Sequence, residues 1–282
     1  MKPIVLEAKG LTKFYNHTKV VDNVSLQIEE GDIFGFLGPN GAGKTTVILM
    51  ILGLTEPTSG NVEVFGYNSA RESLNVKKII GYLPENVGFY EDLTAHENLK
   101  YITRLNNFQD KKANMKIKEA LKMVDLSKVS NTEVSKFSNG MKQRLGMAAV
   151  LVKEPKLAIL DEPTSGIDPK GVEEILELIV KMSKEQNITV LLSSHFLYQV
   201  QKICTKIGII SQGRLIAQGS IEKIGKELLK EKKENLIEVK VSNELTSSFI
   251  ESAKKIEGVT KVKKKSLDYS LEEIYTKYFR EE

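Results

Sequence analysis

The 282-residue chain is 41% apolar and 28% charged, the profile of a globular protein long enough to bury a substantial core. Its net charge is only +4, and residues 213–282 hold 15 basic against 13 acidic side chains, so no part carries the positive excess of a dedicated DNA-binding domain. The single cysteine, Cys204, excludes an intrachain disulfide and fits a reducing compartment; the opening MKPIVLEAKGL lacks a signal-peptide core, and the longest apolar runs, Val47–Leu52 and Met147–Val152, are far short of the ~20 residues that span a membrane.

In chain order, residues 4–9, 19–28 and 32–37 read as strands, with Glu29-Glu30-Gly31-Asp32 as a turn. Ile33–Leu37 is almost continuously apolar, as a strand buried on both faces requires. A helix begins near Gly43 and carries Val47, Ile48, Met50, Ile51 and Leu54 toward the core. Asn61–Phe65 and Ile79–Leu83 are further strands. After Pro84 the pattern turns helical. Thr94-Ala95-His96-Glu97 is a capping box, followed by a stripe of Leu99, Ile102 and Leu105. Ile117, Leu121 and Val124 mark a second helix over about 111–125. Ser138 caps a third, from Met141 to about Lys153. Residues 87–152 therefore read as a helical subdomain inserted into an α/β core.

The α/β pattern resumes with a buried strand at Leu157–Leu160. Asp168-Pro169 then starts a helix with the stripe Val172, Ile175/Leu176 and Ile179. Ile188–Ser193 is another buried strand. Ile207–Ser211 and Arg214–Ala217 flank Gln212-Gly213 as a hairpin. Residues 221–282 are Lys/Glu-rich with one strand-like segment, Ile237–Val241, and read as a small accessory region; Lys263-Lys264-Lys265 within it reads as a solvated face.

Chemistry concentrates at four places. Gly38-Pro39-Asn40-Gly41-Ala42-Gly43-Lys44-Thr45 fits G-x-x-x-x-G-K-[ST] between a buried strand and a helix. Its glycines let the backbone wrap phosphate oxygens, and the helix start adds a positive dipole end. Lys44 is placed to reach the β- and γ-phosphates, and Thr45 to bind Mg²⁺. Asp161 and Glu162 end a buried strand, where a carboxylate faces the ligand crevice. Asp161 is expected to hold Mg²⁺ through water and Glu162 to polarise an attacking water. Ser138-Asn139-Gly140 opens a helix and reads either as an ordinary cap or as a second phosphate site. His195 follows the strand Ile188–Ser193, shares no metal-ligand spacing with the other two histidines, and is placed to sense the γ-phosphate.

GPNGAGKTT, FSNGMKQRL, LAILDEP, SGID and SSH, in that order, resemble the ATPase subunits of ABC transporters over about residues 4–220. The resemblance implies a P-loop NTPase (RecA-like) core with an antiparallel β edge and an inserted helical subdomain. It makes Gly38–Thr46 the Walker A loop, with Thr46 at its end, and Leu157–Glu162 Walker B with Glu162 catalytic. Phe137–Met141 becomes the signature, Ser165–Asp168 the D-loop, and His195 the switch histidine. Tyr15 takes the place of the aromatic that stacks on adenine. Two motifs depart from the family pattern. The signature reads Phe-Ser-Asn-Gly-Met rather than Leu-Ser-Gly-Gly-Gln, retaining Ser138 and Gly140. Glu85 stands where a glutamine is usual, still offering oxygen to Mg²⁺ but adding charge. YLPE, SNGMKQRL and the late Ser270–Tyr275 resemble exporter ATPases whose permease is a separate chain.

The resemblance thus implies an ATP- and Mg²⁺-dependent ATPase that pairs with a second ATPase subunit, a homo- or heterodimer. Two chains would sandwich two ATP molecules, with Ser138 and Gly140 acting in trans. The expected partners are membrane-spanning permease subunits, docked on the helical subdomain around Glu85–Leu105, with no nucleic acid. The expected location is cytoplasmic, on the inner face of the membrane. Two other readings remain: a soluble ABC-type ATPase acting on DNA or ribosomes, and a regulatory module without turnover. Lys44 and Asp161 are 117 residues apart, which leaves room for the helical subdomain alone and disfavours the first; Glu162 and His195 disfavour the second.

Overall fold

Residues 2–224 and 246–253 are described by the structure, a computed structural model. The chain divides into two compact units, Met1–Ser220 and Ile221–Glu282. In the second unit a helix is described at Thr246–Ala253. The expected strand Ile237–Val241, the Lys263–Lys265 run and the Ser270–Tyr275 motif lie outside the described residues.

The first unit is built on two sheets. One has the order β2-β1-β4-β5, all antiparallel, from β1 (Ile4–Tyr15), β2 (Thr18–Glu29), β4 (Ser59–Val64) and β5 (Tyr67–Asn68). The other has the order β10-β9-β3-β8-β7-β6. Within it β3 (Ile33–Leu37), β6 (Ile80–Leu83), β7 (Leu157–Asp161), β8 (Thr189–Ser194) and β9 (Lys206–Ser211) run parallel. β10 (Arg214–Gly219) adds antiparallel at the edge. The Gln212-Gly213 turn joining β9 to β10 has φ 46° and 77°, the left-handed pair that a tight hairpin demands.

Helix α1 (Lys44–Ile51) shares one apolar core with both sheets: Leu6, Leu11 and Leu26 on one side, Phe34, Ile159 and Leu191 on the other. Its buried residues Val47, Ile48, Met50 and Ile51 lie on one face, with the exposed Thr45 and the half-buried Thr46 and Leu49 on the other. Leu54 does not join them and is 55% exposed. Gly53, at φ +60°, ends the helix in a Schellman turn, with Leu54 N–H donating to Leu49 O and Gly53 N–H to Met50 O. A Cβ at Gly53 would lie 2.2 Å from Ser69 O, so glycine is required there.

Between β6 and β7 the chain forms α3 (Ala95–Leu105), α4 (Asp110–Met123) and α5 (Asn139–Leu151), which pack on one another. Two 3₁₀ turns and a single bridge, Thr94 with Glu133, complete this stretch. The capping box is present: Thr94 Oγ1 accepts from Glu97 N–H, and Glu97 accepts from Thr94 N–H. The expected stripe on α3 is displaced. Leu105 is 65% exposed, and the buried face is Ala95, Asn98, Leu99 and Thr103. Asn98 occupies that face because its amide donates to Tyr90, Leu93 and Thr94 carbonyls.

Other boundaries shift for local reasons. β1 continues past residue 9 to Tyr15 through irregular register around Gly10, at φ +59°. Ile79 closes α2 (Ser73–Ile79) rather than opening β6. Phe65 leaves β4 in a left-handed turn with Gly66. α6 (Pro169–Gln186) begins at an Asp168 cap whose carboxylate accepts from Gly171 N–H, and α7 (Leu197–Ile203) follows β8.

Candidate active site

β3, β7 and β8 are neighbours in the parallel sheet, in the order β3-β8-β7. Their C-terminal ends therefore bring the Gly38–Thr45 loop, Asp161-Glu162 and His195 to one edge, where parallel sheets bind ligands. Gly38 has no room for a side chain, since a Cβ would lie 2.4 Å from Ile210 O. Gly43, at φ +100°, packs against Val20 O. Gly213 N–H donates to Ala42 O, and Asp22 N–H to Gly213 O, tying the loop to β2 and to the β9-β10 turn. Pro39 O accepts from Ala42 N–H. α1 then starts at Lys44 with no side-chain cap, so its first amides, including those of Lys44, Thr45 and Thr46, point out as anion donors. Asn40 and Gly41 form the exposed crest of this loop.

Lys44 is buried, 6% exposed, with its ammonium folded into the loop. It donates to Gly38 O at 2.8 Å and Pro39 O at 3.2 Å, and lies 3.2 Å from Glu162 Oε1. That last approach is a charge contact without hydrogen-bond alignment, leaving Glu162 Oε1 otherwise unpartnered. The other oxygen, Oε2, faces His195 Nδ1 at 2.9 Å. Glu162 thus bridges the loop lysine and the histidine. Its backbone is left-handed, at φ +47°, which costs a non-glycine residue about 1–2 kcal/mol. The Ser193 hydroxyl accepts from Glu162 N–H at 2.9 Å.

Asp161 is also buried. Its Oδ2 accepts from the Thr45 hydroxyl at 3.0 Å, and its Oδ1 from the Ser193 hydroxyl. A hydroxyl and a carboxylate converging in this way form a hard-oxygen donor set, the chemistry that suits Mg²⁺. Among the described residues no cluster of three or more His, Cys, Asp or Glu side chains forms a metal cage.

Glu85 is exposed two residues beyond β6 and makes no hydrogen bond among the described residues. It lies close enough to act on Tyr82, whose hydroxyl is pushed up to about 12, first by burial and then by the charges of Asp161 and Glu85. Tyr15 ends β1, paired with Thr18, and is half-exposed with Lys13 Nζ 5.2 Å from its ring centre. It stands on the same β1-β2 hairpin whose Val20 touches Gly43.

Ser138 and Gly140 are not part of this network. Ser138 is exposed at the start of α5, its hydroxyl accepting from Met141 N–H at 3.3 Å. Gly140 neighbours Ile167 in the turn before α6, and Arg144 pairs with Glu174. No hydrogen bond joins residues 138–141 to the Gly38–Thr46 loop among the described residues. Ser193, absent from the candidates read in the sequence, is the residue on which Asp161 and Glu162 converge. It opens the SSH motif, where only His195 was given a role, and it is otherwise a hydroxyl at the polar end of a buried strand.

A P-loop between a buried strand and α1, with paired carboxylates ending a nearby parallel strand, defines a P-loop nucleoside triphosphatase. Residues 21–165 match the family model described as ABC transporter. The bacitracin transport ATP-binding protein BcrA of Bacillus licheniformis is 42% identical over 240 residues, 85% of this chain and 76% of that protein. The linearmycin resistance ATP-binding protein LnrL of Bacillus subtilis (strain 168) is 40% identical over 216 residues, covering 77% of this chain and 69% of its own length. Among solved structures, the ATP-binding cassette MJ0796, a post-hydrolysis dimer bound to ADP and Pi, superposes with a TM-score of 0.69 at 26% identity. It covers 76% of this chain and 98% of its own. The chain belongs to the ABC transporter ATP-binding family, and its activity is ATP hydrolysis.

Proposed function

We propose that this chain powers an exporter by hydrolysing Mg²⁺-ATP at the ends of β3, β7 and β8, in a dimer that closes on nucleotide. The observation that carries the reading is the bridge from buried Lys44 through buried Glu162 to half-buried His195, beside the Thr45–Asp161 pair. Phosphate oxygens would compete with Glu162 for Lys44, and the loop amides would add their dipoles. Thr45 and Asp161 would hold Mg²⁺, with Glu85 on the same rim able to reach its water shell; the ion supplies charge neutralisation at the β- and γ-phosphates. Glu162 is then the base that orients water, and His195 steadies both Glu162 and the γ-phosphate. Tyr15 would stack on adenine. Ser138 and Gly140 would meet the γ-phosphate of the ATP held by the second subunit, which suits an exposed helix start outside its own chain's network.

Export is supported by the relatives named for bacitracin transport and linearmycin resistance. No helix among the described residues is long and apolar enough to cross a membrane, and the membrane-spanning part of the transporter is, in this reading, supplied by permease subunits. We place their docking site at the groove of about 370 Å³ lined by Gly88, Phe89, Tyr90, Asn98, Tyr101 and Ile102, which would set the chain on the cytoplasmic face. Tyr90 and Tyr101 pack edge to face there with ring centres 5.2 Å apart and stay solvent-accessible, a rigid aromatic platform.

Glu162→Gln tests the reading. Turnover should fall about 10³-fold or more while ATP binding and ATP-dependent dimerisation persist. Hydrolysis at the parental rate in that variant would remove Glu162 from the mechanism. A hydrophobic protein recovered with the chain from solubilised membranes would support the transporter assembly; recovery with ribosomes or DNA would instead support the soluble alternative.

A further inference from the structure

β8 lies between β3 and β7, and its parallel register sets Ser193 directly beside Asp161 on one side and Phe36 on the other. Ser193 is completely buried, and its hydroxyl makes two bonds of opposite sense. It donates to Asp161 Oδ1 and accepts from Glu162 N–H at 2.9 Å. A serine hydroxyl has one proton and two lone pairs, so this use is directional: the proton goes to the carboxylate, and a lone pair takes the amide. With Oδ1 occupied, Asp161 presents Oδ2 to Thr45. With its amide anchored, Glu162 keeps the left-handed turn that sends its side chain between Lys44 and His195. The following residues continue the same task. Ser194 Oγ accepts from Phe196 N–H at 2.9 Å and fixes the turn that carries His195.

We propose that Ser193 is a positioning residue for ATP hydrolysis: one hydroxyl sets both the oxygen that Asp161 offers to the Mg²⁺ site and the backbone angle from which Glu162 reaches water. The proposal rests on the roles given above to Asp161 and Glu162. The preceding residues Val190, Leu191 and Leu192 are apolar and equally buried in the same strand, so packing alone does not account for a hydroxyl here. Ser193→Ala leaves Asp161 Oδ1 and Glu162 N–H buried without partners, and the two acidic side chains lose their mutual orientation.

The experiment uses the full chain and four variants, Ser193→Ala, Ser193→Cys, Ser193→Thr and Glu162→Gln. A fluorescent ATP analogue is titrated at equilibrium in Mg²⁺ and again in EDTA, and steady-state hydrolysis and thermal melting are recorded in parallel. Ser193→Ala is expected to weaken binding in Mg²⁺ by about tenfold with little change in EDTA, and to lower kcat by ~10–100-fold, the range for residues that orient metal ligands. Ser193→Cys keeps the volume but hydrogen-bonds weakly, and should follow alanine even if alanine disturbs folding. Ser193→Thr keeps the hydroxyl and should recover most of both readouts. Parental kcat and Mg²⁺ dependence in the alanine and cysteine variants would overturn the proposal. An equal loss of affinity with and without Mg²⁺ would overturn it too, because the hydroxyl would then be a structural bond only, and a threonine variant as impaired as alanine would count against it. Failure of the underlying site reading shows itself separately, as continued turnover in Glu162→Gln. A dead Glu162→Gln beside a normal Ser193→Ala confines the failure to Ser193.

Discussion

The two halves of the nucleotide machinery are built in opposite ways. At the ends of β3, β7 and β8 the polar groups are mutually engaged: buried Lys44, Asp161, Glu162 and Ser193 form one connected set with the exposed Thr45 and the half-buried His195. At the start of α5, Ser138 is exposed and its hydroxyl reaches only a helix amide. The connected half lies within one chain, where we propose it holds the nucleotide. The exposed half presents helix amides outward, which is useful only to a ligand carried by something else. The contrast ties the first half to hydrolysis and the second to association, and substitutions should separate the two.

Lys44→Ala is the strongest test of the connected half. It removes the cation beside a buried Glu162, and breaking a buried pair of this kind costs about 3–5 kcal/mol. Nucleotide affinity should fall by at least ~100-fold in equilibrium titration, and the melting temperature should fall in the absence of nucleotide. A variant that binds ATP normally would show that Lys44 serves the loop carbonyls Gly38 and Pro39 alone.

Ser138→Arg addresses the exposed half. The lost cap should cost only about 1 kcal/mol, and monomer binding of ATP should match the parent. ATP-dependent dimerisation, followed by light scattering in the Glu162→Gln background, should disappear. A stable dimer in that double variant would break the assignment of Ser138 to a partner's nucleotide.

The contrast was only half legible in the sequence. The Gly38–Thr45 loop and the Asp161-Glu162 pair are contiguous, so their chemistry is written locally and the parallel strands merely deliver them to one edge. Ser193 could not be singled out, because its role depends on the register that sets it against Asp161, 32 residues away. Helix existence followed from periodicity, but faces did not. Leu105 was expected inside because it is apolar, whereas Asn98 and Thr103 occupy the buried face by satisfying their own polar atoms. Leu54 lay beyond a turn that only the left-handed Gly53 reveals. The exposed signature half was legible either as a helix cap or as a second phosphate site, and only the resemblance assigned it to a partner's nucleotide, since neither spacing nor burial within one chain can report a contact made with another.

The smallest expected effect comes from the capping box at Thr94, and it tests whether the exposed half is preorganised. The chain leading to Ser138 is pinned to this box: Ala95 N–H donates to Thr132 O, His96 N–H to Ser130 O, Val134 N–H to Leu93 O and Ser135 N–H to Glu91 O. Thr94→Ala should cost about 1 kcal/mol of stability. It should weaken ATP-dependent dimerisation by a few fold while leaving monomer nucleotide binding unchanged. The partner in the box adds a pH signature. Glu97 is held below its ordinary value of 4.5, first by the Thr94 backbone N–H and then by the Thr94 hydroxyl. Its folded-state pKa is depressed, so its contribution is fully present above the unfolded value and is lost as pH falls through the folded one. The difference in melting temperature between the parent and Glu97→Gln should therefore hold above pH 4.5 and shrink as the solution is acidified below it. A gap that stays constant through that window would mean that the carboxylate is not engaged with Thr94, and that the approach to the signature is held by the backbone bonds alone.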